Sequence, residues 1–126
     1  MKALLDTSVL VATDLSPLPG DLGISVASLA ELHFGVLVTD DPVIRAERLR
    51  RLTELRRTFD ALPIDDAVAV SYGQLAAVVV AVGRRQRSRV IDLLIAATAH
   101  ANGARLYTRN ATDLVGIDDL VEIVPV

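Results

Sequence analysis

The stretch IDLLIAATAHANGARLYT, residues 91–108, is typical of a helix that leads directly into a strand. The predicted helix over 91–102 ends at Asn102-Gly103, because glycine readily adopts the left-handed conformation that closes a helix. The next five residues, ARLYT at 104–108, predict a strand. A strand that follows a helix so closely is a building unit of α/β folds with a parallel sheet.

Strands and helices also alternate on both sides of this unit. Apolar runs predict strands at 2–5, 23–26, 104–108 and 121–124, with a short extended piece at 62–64. Further helices are predicted from near Ser28, from the Asp41-Pro42 start and over 67–82, where Gly83 provides the end. This alternation predicts an α/β fold with a mostly parallel sheet that helices cover on both faces.

The composition is that of a small, aliphatic protein. The chain has 126 residues, of which 52% are hydrophobic and only 3% aromatic, and this length suits one domain with a core of its own. Asp6 interrupts the region where a signal peptide would need its apolar run, and the apolar stretch at 75–82 is too short to span a bilayer. Cysteine is absent. We therefore expect a cytoplasmic protein without membrane attachment.

Four acidic residues stand at related positions of the predicted fold. Asp6, Glu31 and Asp113 each follow a predicted strand. Asp92 opens the predicted helix at 91–102. Because ligands of an open parallel sheet bind outside the carboxyl ends of its strands, we expect the four carboxylates to converge there.

Each acid also has a purely structural interpretation. Asp6 could cap the following helix, and Glu31 stands three residues after Ser28, as in a capping box. Asp92 could interact with the positive end of its helix, and Asp113 could be a turn residue. These interpretations stay open for each acid taken singly. Their common placement favours a joint role.

Converging carboxylates need a counter-charge. Two of them ~4 Å apart repel by roughly 4 kcal/mol at an effective dielectric constant of 20, and a helix N-terminus offsets only about 0.3–1 kcal/mol. No histidine or cysteine ligand is predicted nearby. Oxygen donors alone are the ligands of hard divalent cations, so the pattern predicts a Mg²⁺ or Mn²⁺ site.

Four segments resemble a known family in order and spacing: LLDTSVLVA, ISVASLAELHFGV, RVIDLLIAATAHANGARLYTRNATDL and VEIV. They are similar to the PIN domain, and specifically to the VapC-type toxins of bacterial toxin–antitoxin pairs. The resemblance implies one PIN-like domain over residues 1–126, a three-layer α/β/α sandwich, and a metal-dependent endoribonuclease. It further implies that Asp6, Glu31 and Asp92 are the three core acids of the active site.

The fourth acid lies in a segment that matches the family pattern less closely. The family pattern Thr-x-Asn/Asp-x-x-Asp corresponds to Thr108, Asn110 and Asp113, with Leu114 in place of the usual Phe. Asp113 is the favoured fourth ligand, which Asn110 would support. The hydroxyls of Thr7 and Ser8 have no histidine positioned to activate them, so they are predicted to orient Asp6 or a metal-bound water.

Arginines are the candidate RNA contacts of a chain whose net charge is −3. The segment 83–89, GRRQRSR, either contacts phosphate beside the acids or is an ordinary solvated loop. Its arginines are Arg84, Arg85, Arg87 and Arg89, and Arg109 is a further candidate. In the helix after Pro42, the spacings Glu47–Arg51 and Arg50–Glu54 favour a salt-bridged outer face instead.

Two other functions are consistent with parts of the pattern. A phosphatase with an aspartyl nucleophile would need Asp-x-Asp after the first strand, but Ser8 stands at the second position. A non-catalytic PIN-like binding protein would not need all four acids. The toxin interpretation, which rests on the resemblance, implies a homodimer, a cognate VapB-like antitoxin and an RNA substrate such as tRNA.

Overall fold

The computed structural model describes residues 1–126, apart from the side chain of Ser88. Its centre is a five-stranded sheet with the strand order β3-β2-β1-β4-β5, in which every neighbouring pair is parallel. The strands are β1 (Lys2–Leu5), β2 (Asp21–Ser25), β3 (Ala61–Leu62), β4 (Arg105–Thr108) and β5 (Ile123–Pro125). A parallel sheet was predicted, and this topology confirms it.

Helices connect the strands and cover both faces of the sheet. They are α1 (Thr7–Leu10), α2 (Val26–Val38), α3 (Pro42–Thr58), α4 (Asp66–Ala81) and α5 (Val90–Ala101). A 3₁₀ turn at Gln86–Arg89 precedes α5, and a second at Ala111–Leu114 follows β4. Asp41 and Asp65 cap α3 and α4, as such residues do when their side chains accept a hydrogen bond from the first helical N–H groups. Gly83 and Gly103 close α4 and α5 with positive φ.

Each strand divides its side chains between two cores, because neighbouring side chains of a strand point to opposite faces. Leu4 of β1 and Leu106 of β4 pack with α4 and α5 on one face. Ala3, Leu5 and Tyr107 pack with α1 and α3 on the other. The result is the expected three-layer α/β/α sandwich. Within the described part of the chain, no helix combines the length and apolar character needed to cross a bilayer.

The start of α2 differs from the prediction. The second strand ends at Ser25 rather than residue 26, and Ser25 caps α2 by accepting a hydrogen bond from the Ala27 N–H at 3.0 Å. Ser28 therefore lies inside the helix, and the capping-box explanation for Glu31 is wrong. Both serines are good N-caps in isolation, and the length of β2 decides between them.

Candidate active site

Asp6 lies at the end of β1 and is the most completely held of the four acids. It is only 7% exposed. One carboxylate oxygen caps α1 by accepting from the Thr7 N–H at 2.8 Å. The other accepts from two hydroxyls, Ser8 Oγ at 2.9 Å and Thr108 Oγ1 at 2.7 Å. The helix-cap interpretation is therefore correct for one oxygen, while the second oxygen belongs to a network that joins β1 to β4.

The hydroxyls beside Asp6 are themselves fixed by backbone groups. The N–H of Arg109 donates to Ser8 Oγ at 3.0 Å, and the N–H of Asn110 donates to Thr108 Oγ1 at 2.9 Å. Thr108 is fully buried, whereas the Asn110 side chain is exposed. The chain after β4 thus orients both hydroxyls toward one carboxylate oxygen of Asp6.

Glu31 joins the site through a threonine on α1. The Thr7 hydroxyl donates to Glu31 Oε1 at 2.7 Å, and the same Oγ1 lies 3.0 Å from the buried Ser28 Oγ. Ser28, the residue predicted as a cap, thereby becomes part of the support for Glu31. Thr7 connects the two acids, because its backbone N–H bonds Asp6 and its side chain bonds Glu31.

Asp92 lies in the first turn of α5, where it responds to the charge of the other three acids. Burial raises the pKa of its carboxyl above the ordinary value, and the negative charges of Asp6, Glu31 and Asp113 raise it further. The cation of Arg89 opposes them. The charges of the other three acids therefore reach Asp92, as expected for carboxylates placed at the same edge of the sheet.

Asp113 is the most exposed member of the group. It lies in the 3₁₀ turn after β4, and its side chain is 52% exposed. The Arg89 guanidinium donates to the Asp113 backbone carbonyl oxygen at 2.5 Å and lies 3.7 Å from the carboxylate. Arg89 was predicted as an RNA contact, and the structure places it between Asp113 and α5, at the rim of the acid group.

The donor set fits a hard divalent cation in chemistry and in charge. All four side chains offer carboxylate oxygen, and their negative charge is already felt at Asp92. Among the described residues, however, no three carboxylate or histidine side chains are close enough to form a ready-made ligand shell. A bound cation would have to draw these carboxylates together from their present positions.

The predicted arginine contacts divide into two groups. Arg109 forms a bidentate ion pair with Asp14, at 2.9 and 3.2 Å, and its Nε donates to the Val126 carbonyl oxygen. It therefore ties the loop after α1 to the last strand. Arg85 and Arg87 have exposed side chains, while one terminal nitrogen of Arg84 is buried and has no hydrogen-bond partner among the described residues.

The sequence analysis missed one arginine that supports the site. Arg51 was predicted to pair with Glu47, but Glu47 pairs with Arg50, and Arg51 donates to the Leu10 carbonyl oxygen at 3.0 Å. That carbonyl is at the end of α1, where a helix leaves such groups without intrahelical partners. Arg51 thus attaches α3 to the short helix that carries Thr7 and Ser8. No local pattern could reveal this contact, because it spans 41 residues.

Comparison with known proteins identifies the family. The family model of the PIN domain matches residues 3–114, which contain all four acids. The chain belongs to the PIN-domain family. Ribonuclease VapC8 of Mycobacterium tuberculosis is 39% identical over 100 residues, which are 76% of this chain and 88% of that protein. Ribonuclease VapC5 of the same species is 35% identical over 125 residues, 94% of this chain and 90% of that protein.

A solved structure supports the same family assignment. The crystal structure of VapBC-5 from Mycobacterium tuberculosis, a member of the VapBC family of toxin–antitoxin systems, has a TM-score of 0.84 to this chain. The two are 32% identical, and the match covers 99% of this chain and 97% of that one. The predicted family, a PIN domain of the VapC type, is therefore confirmed.

The raised pKa of Asp92 predicts how the stability of this PIN domain depends on pH. At low pH the carboxyl is protonated in both states, so it has no effect on unfolding. As the pH rises, the unfolded chain ionises first, and the native state loses stability until the pH exceeds the raised pKa. In chelator at neutral pH, Asp92→Asn should therefore melt at a higher temperature than the wild type, and the difference should close in acid.

The measurement is thermal unfolding by circular dichroism across the acid-to-neutral range. Asp119→Asn is the matched control, because it removes the same charge from an exposed turn. Equal melting temperatures for Asp92→Asn and the wild type at every pH would show that Asp92 bears no electrostatic cost.

Proposed function

We propose that residues 1–126 form one PIN-like domain that acts as the toxin of a toxin–antitoxin pair, a cytoplasmic endoribonuclease dependent on Mg²⁺ or Mn²⁺. The observation that carries the proposal is the group of four carboxylates at the carboxyl edge of the sheet, where burial and the charges of the other three acids raise the pKa of Asp92. Relatives at 35–39% identity that bear the name ribonuclease support it. Structured RNA such as tRNA is the proposed substrate.

Some side chains of the site would bind the cation, and others would orient those ligands. Asp6, Glu31, Asp92 and Asp113 would hold the cation, which would activate a water and offset the charge of the phosphorane. Thr108 and Ser8 fix one oxygen of Asp6, while Thr7 orients Glu31. The Ser8 hydroxyl donates to Asp6 and accepts from the Arg109 N–H, which supports an orienting role rather than that of a nucleophile.

Cations beside the acids would hold the RNA backbone. Arg85 and Arg87 are exposed on the turn that leads into α5, the helix of Asp92. Arg84 is a third candidate in the same segment. Arg89 and Arg109, which were predicted to join them, are engaged by Asp113 and Asp14 respectively, so we assign them first to holding the site.

Exposed apolar residues support the proposed protein partners. Phe34 and Leu37 of α2 and Val43 of α3 are 67%, 71% and 77% exposed, and we take them as the apolar surface for an amphipathic antitoxin segment. The similar VapBC-5 structure belongs to a toxin–antitoxin system. A VapB-like antitoxin on this surface is therefore the proposed inhibitor. Val70 and Val80 of α4 are also exposed and are candidates for the homodimer contact.

Loss of one carboxylate should abolish RNA cleavage and leave the fold intact. Asp6→Asn and Asp92→Asn each keep the size of the side chain but remove a charge that the cation needs. We expect cleavage of total RNA in Mg²⁺ to fall by at least about a hundredfold for each variant, the scale on which essential groups act in hydrolysis. Circular dichroism should show a native spectrum.

The control for this prediction is again Asp119→Asn, which should cleave at the wild-type rate. A folded Asp6→Asn protein with full activity would contradict the proposed site. A wild-type protein that cleaves no RNA in either metal would contradict the proposed function itself.

The exposed arginines should determine how RNA binding depends on salt. In the Asp6→Asn background, where cleavage does not interfere, replacing Arg85 and Arg87 with Ala should weaken binding to single-stranded RNA. Each lost phosphate contact should lower the slope of log K against log salt by about 0.7. Arg56→Ala with Arg57→Ala removes the same charge from the end of α3 and should leave the slope unchanged. Equal slopes for both double variants would show that the 83–89 segment is an ordinary solvated loop that does not contact phosphate.

A further inference from the structure

A groove lies between α2 and α3, directly beside the acid group. Its volume is about 570 Å³. The residues that matter here are Thr7, Glu31, Leu32, Gly35, Arg48 and Arg51. Because Thr7 and Glu31 belong both to this groove and to the proposed active site, a molecule in the groove would lie next to the reacting phosphodiester.

Gly35 keeps the groove open on the α2 side. A Cβ atom built at this position would meet no other atom within 4 Å, and the backbone has none of the positive φ values that demand glycine. Glycine inside a helix is less stable than alanine, so neither the helix nor the packing explains the residue. The missing side chain leaves room along the wall of the groove for something outside the chain. Gly73 in α4 has equally open surroundings but does not line this groove, which makes it a suitable control.

The opposite wall carries two arginines, each of which donates one hydrogen bond to a backbone carbonyl oxygen. Arg48 donates to the Gly35 carbonyl oxygen at 2.7 Å, and Arg51 donates to the Leu10 carbonyl oxygen at 3.0 Å. A guanidinium has five N–H donors, so one such bond orients it and leaves others for a ligand. Glu47 also lines the groove, but it is ion-paired with Arg50. The groove therefore combines apolar walls, such as Leu32 and Leu52, with two oriented cations.

We propose that this groove receives one unpaired nucleotide of the RNA, adjacent to the phosphodiester at the acid group, and so determines the sequence preference of cleavage. The inference rests on the proposed ribonuclease function. Proteins read single-stranded RNA by packing splayed bases against apolar side chains and guanidinium planes, and by hydrogen bonds to base edges. The volume lies within the usual range of small-ligand sites, about 300–1,000 Å³.

The charge distinguishes a nucleotide from a peptide. An apolar antitoxin side chain could fill the groove but would leave the donors of Arg48 and Arg51 without acceptors. A nucleotide supplies phosphate and base acceptors together with an apolar ring face. The exposed surface of Phe34, Leu37 and Val43 is a separate feature, since none of these residues lines the groove.

Filling the groove tests the proposal. Gly35→Leu places a side chain in the groove and improves helix propensity, and Gly73→Leu makes the same change in α4. Both proteins and the wild type are incubated with a random-sequence RNA pool in Mg²⁺, and the cut ends are sequenced. We expect Gly35→Leu to cleave about tenfold more slowly or worse, the scale on which a misfitted pocket acts, and to lose the base preference at one position beside the cut. Gly73→Leu should match the wild type.

The outcomes separate the inference from the function on which it rests. If Gly35→Leu cleaves with the wild-type rate and preference, the nucleotide site is wrong while the ribonuclease stands. If Gly35→Leu cleaves normally but escapes silencing by the antitoxin, the groove binds protein instead. If the wild type cleaves none of the pool, the proposed function and the inference fail together.

A titration of the wild-type protein avoids any dependence on the variant's folding. The four nucleoside 5′-monophosphates are added to ¹⁵N-labelled protein, with ribose 5-phosphate as the probe that lacks a base. We expect at least one nucleotide to shift the amide resonances of Leu32 and Gly35. Ribose 5-phosphate should leave both resonances unchanged. Shifts confined to the 84–89 turn would overturn the inference.

Discussion

Repulsion between Asp92 and three other carboxylates, those of Asp6, Glu31 and Asp113, is the constraint that the surrounding structure must meet. The parallel topology creates the problem, because it brings the ends of β1, β2 and β4 to the same edge. Burial raises the pKa of Asp92, and the charges of the other three acids raise it further. An arrangement that only stabilised the fold would separate these charges, so their accumulation supports the proposed cation site.

Hydrogen bonds from two elements hold the carboxylates of Asp6 and Glu31 in place. Hydroxyls of α1 and β4 fix Asp6, and a hydroxyl of α1 fixes Glu31. Arg51 of α3 and the Arg109–Asp14 ion pair attach α1 and its following loop to the rest of the domain. Four-residue helices have little stability of their own, so these long-range contacts explain how α1 can position Thr7 and Ser8 beside the acids.

The sequence predicted most of what depends on local pattern. The order of strands and helices along the chain, and helix caps such as Asp41, follow from spacing rules. The start of α2 was predicted wrongly, because Ser25 and Ser28 are equally good caps and only strand pairing selects Ser25. The partners of Arg51 and Arg109 lie 41 and 95 residues away, and no single-sequence pattern encodes such contacts. Arg51 was therefore assigned to the wrong neighbour, and the ion pair of Arg109 with Asp14 was not predicted.

The most direct test of the cation site is thermal unfolding of the wild type and of Asp6→Asn, each in chelator and in excess Mn²⁺. A ligand that binds only the native state at 100 times its Kd stabilises it by about 2.7 kcal/mol, a shift on the order of 10 °C for a domain of this size. We expect that shift for the wild type and a much smaller one for Asp6→Asn. Equal, small shifts for both proteins would contradict it, because carboxylates that gather no metal would have no reason to converge.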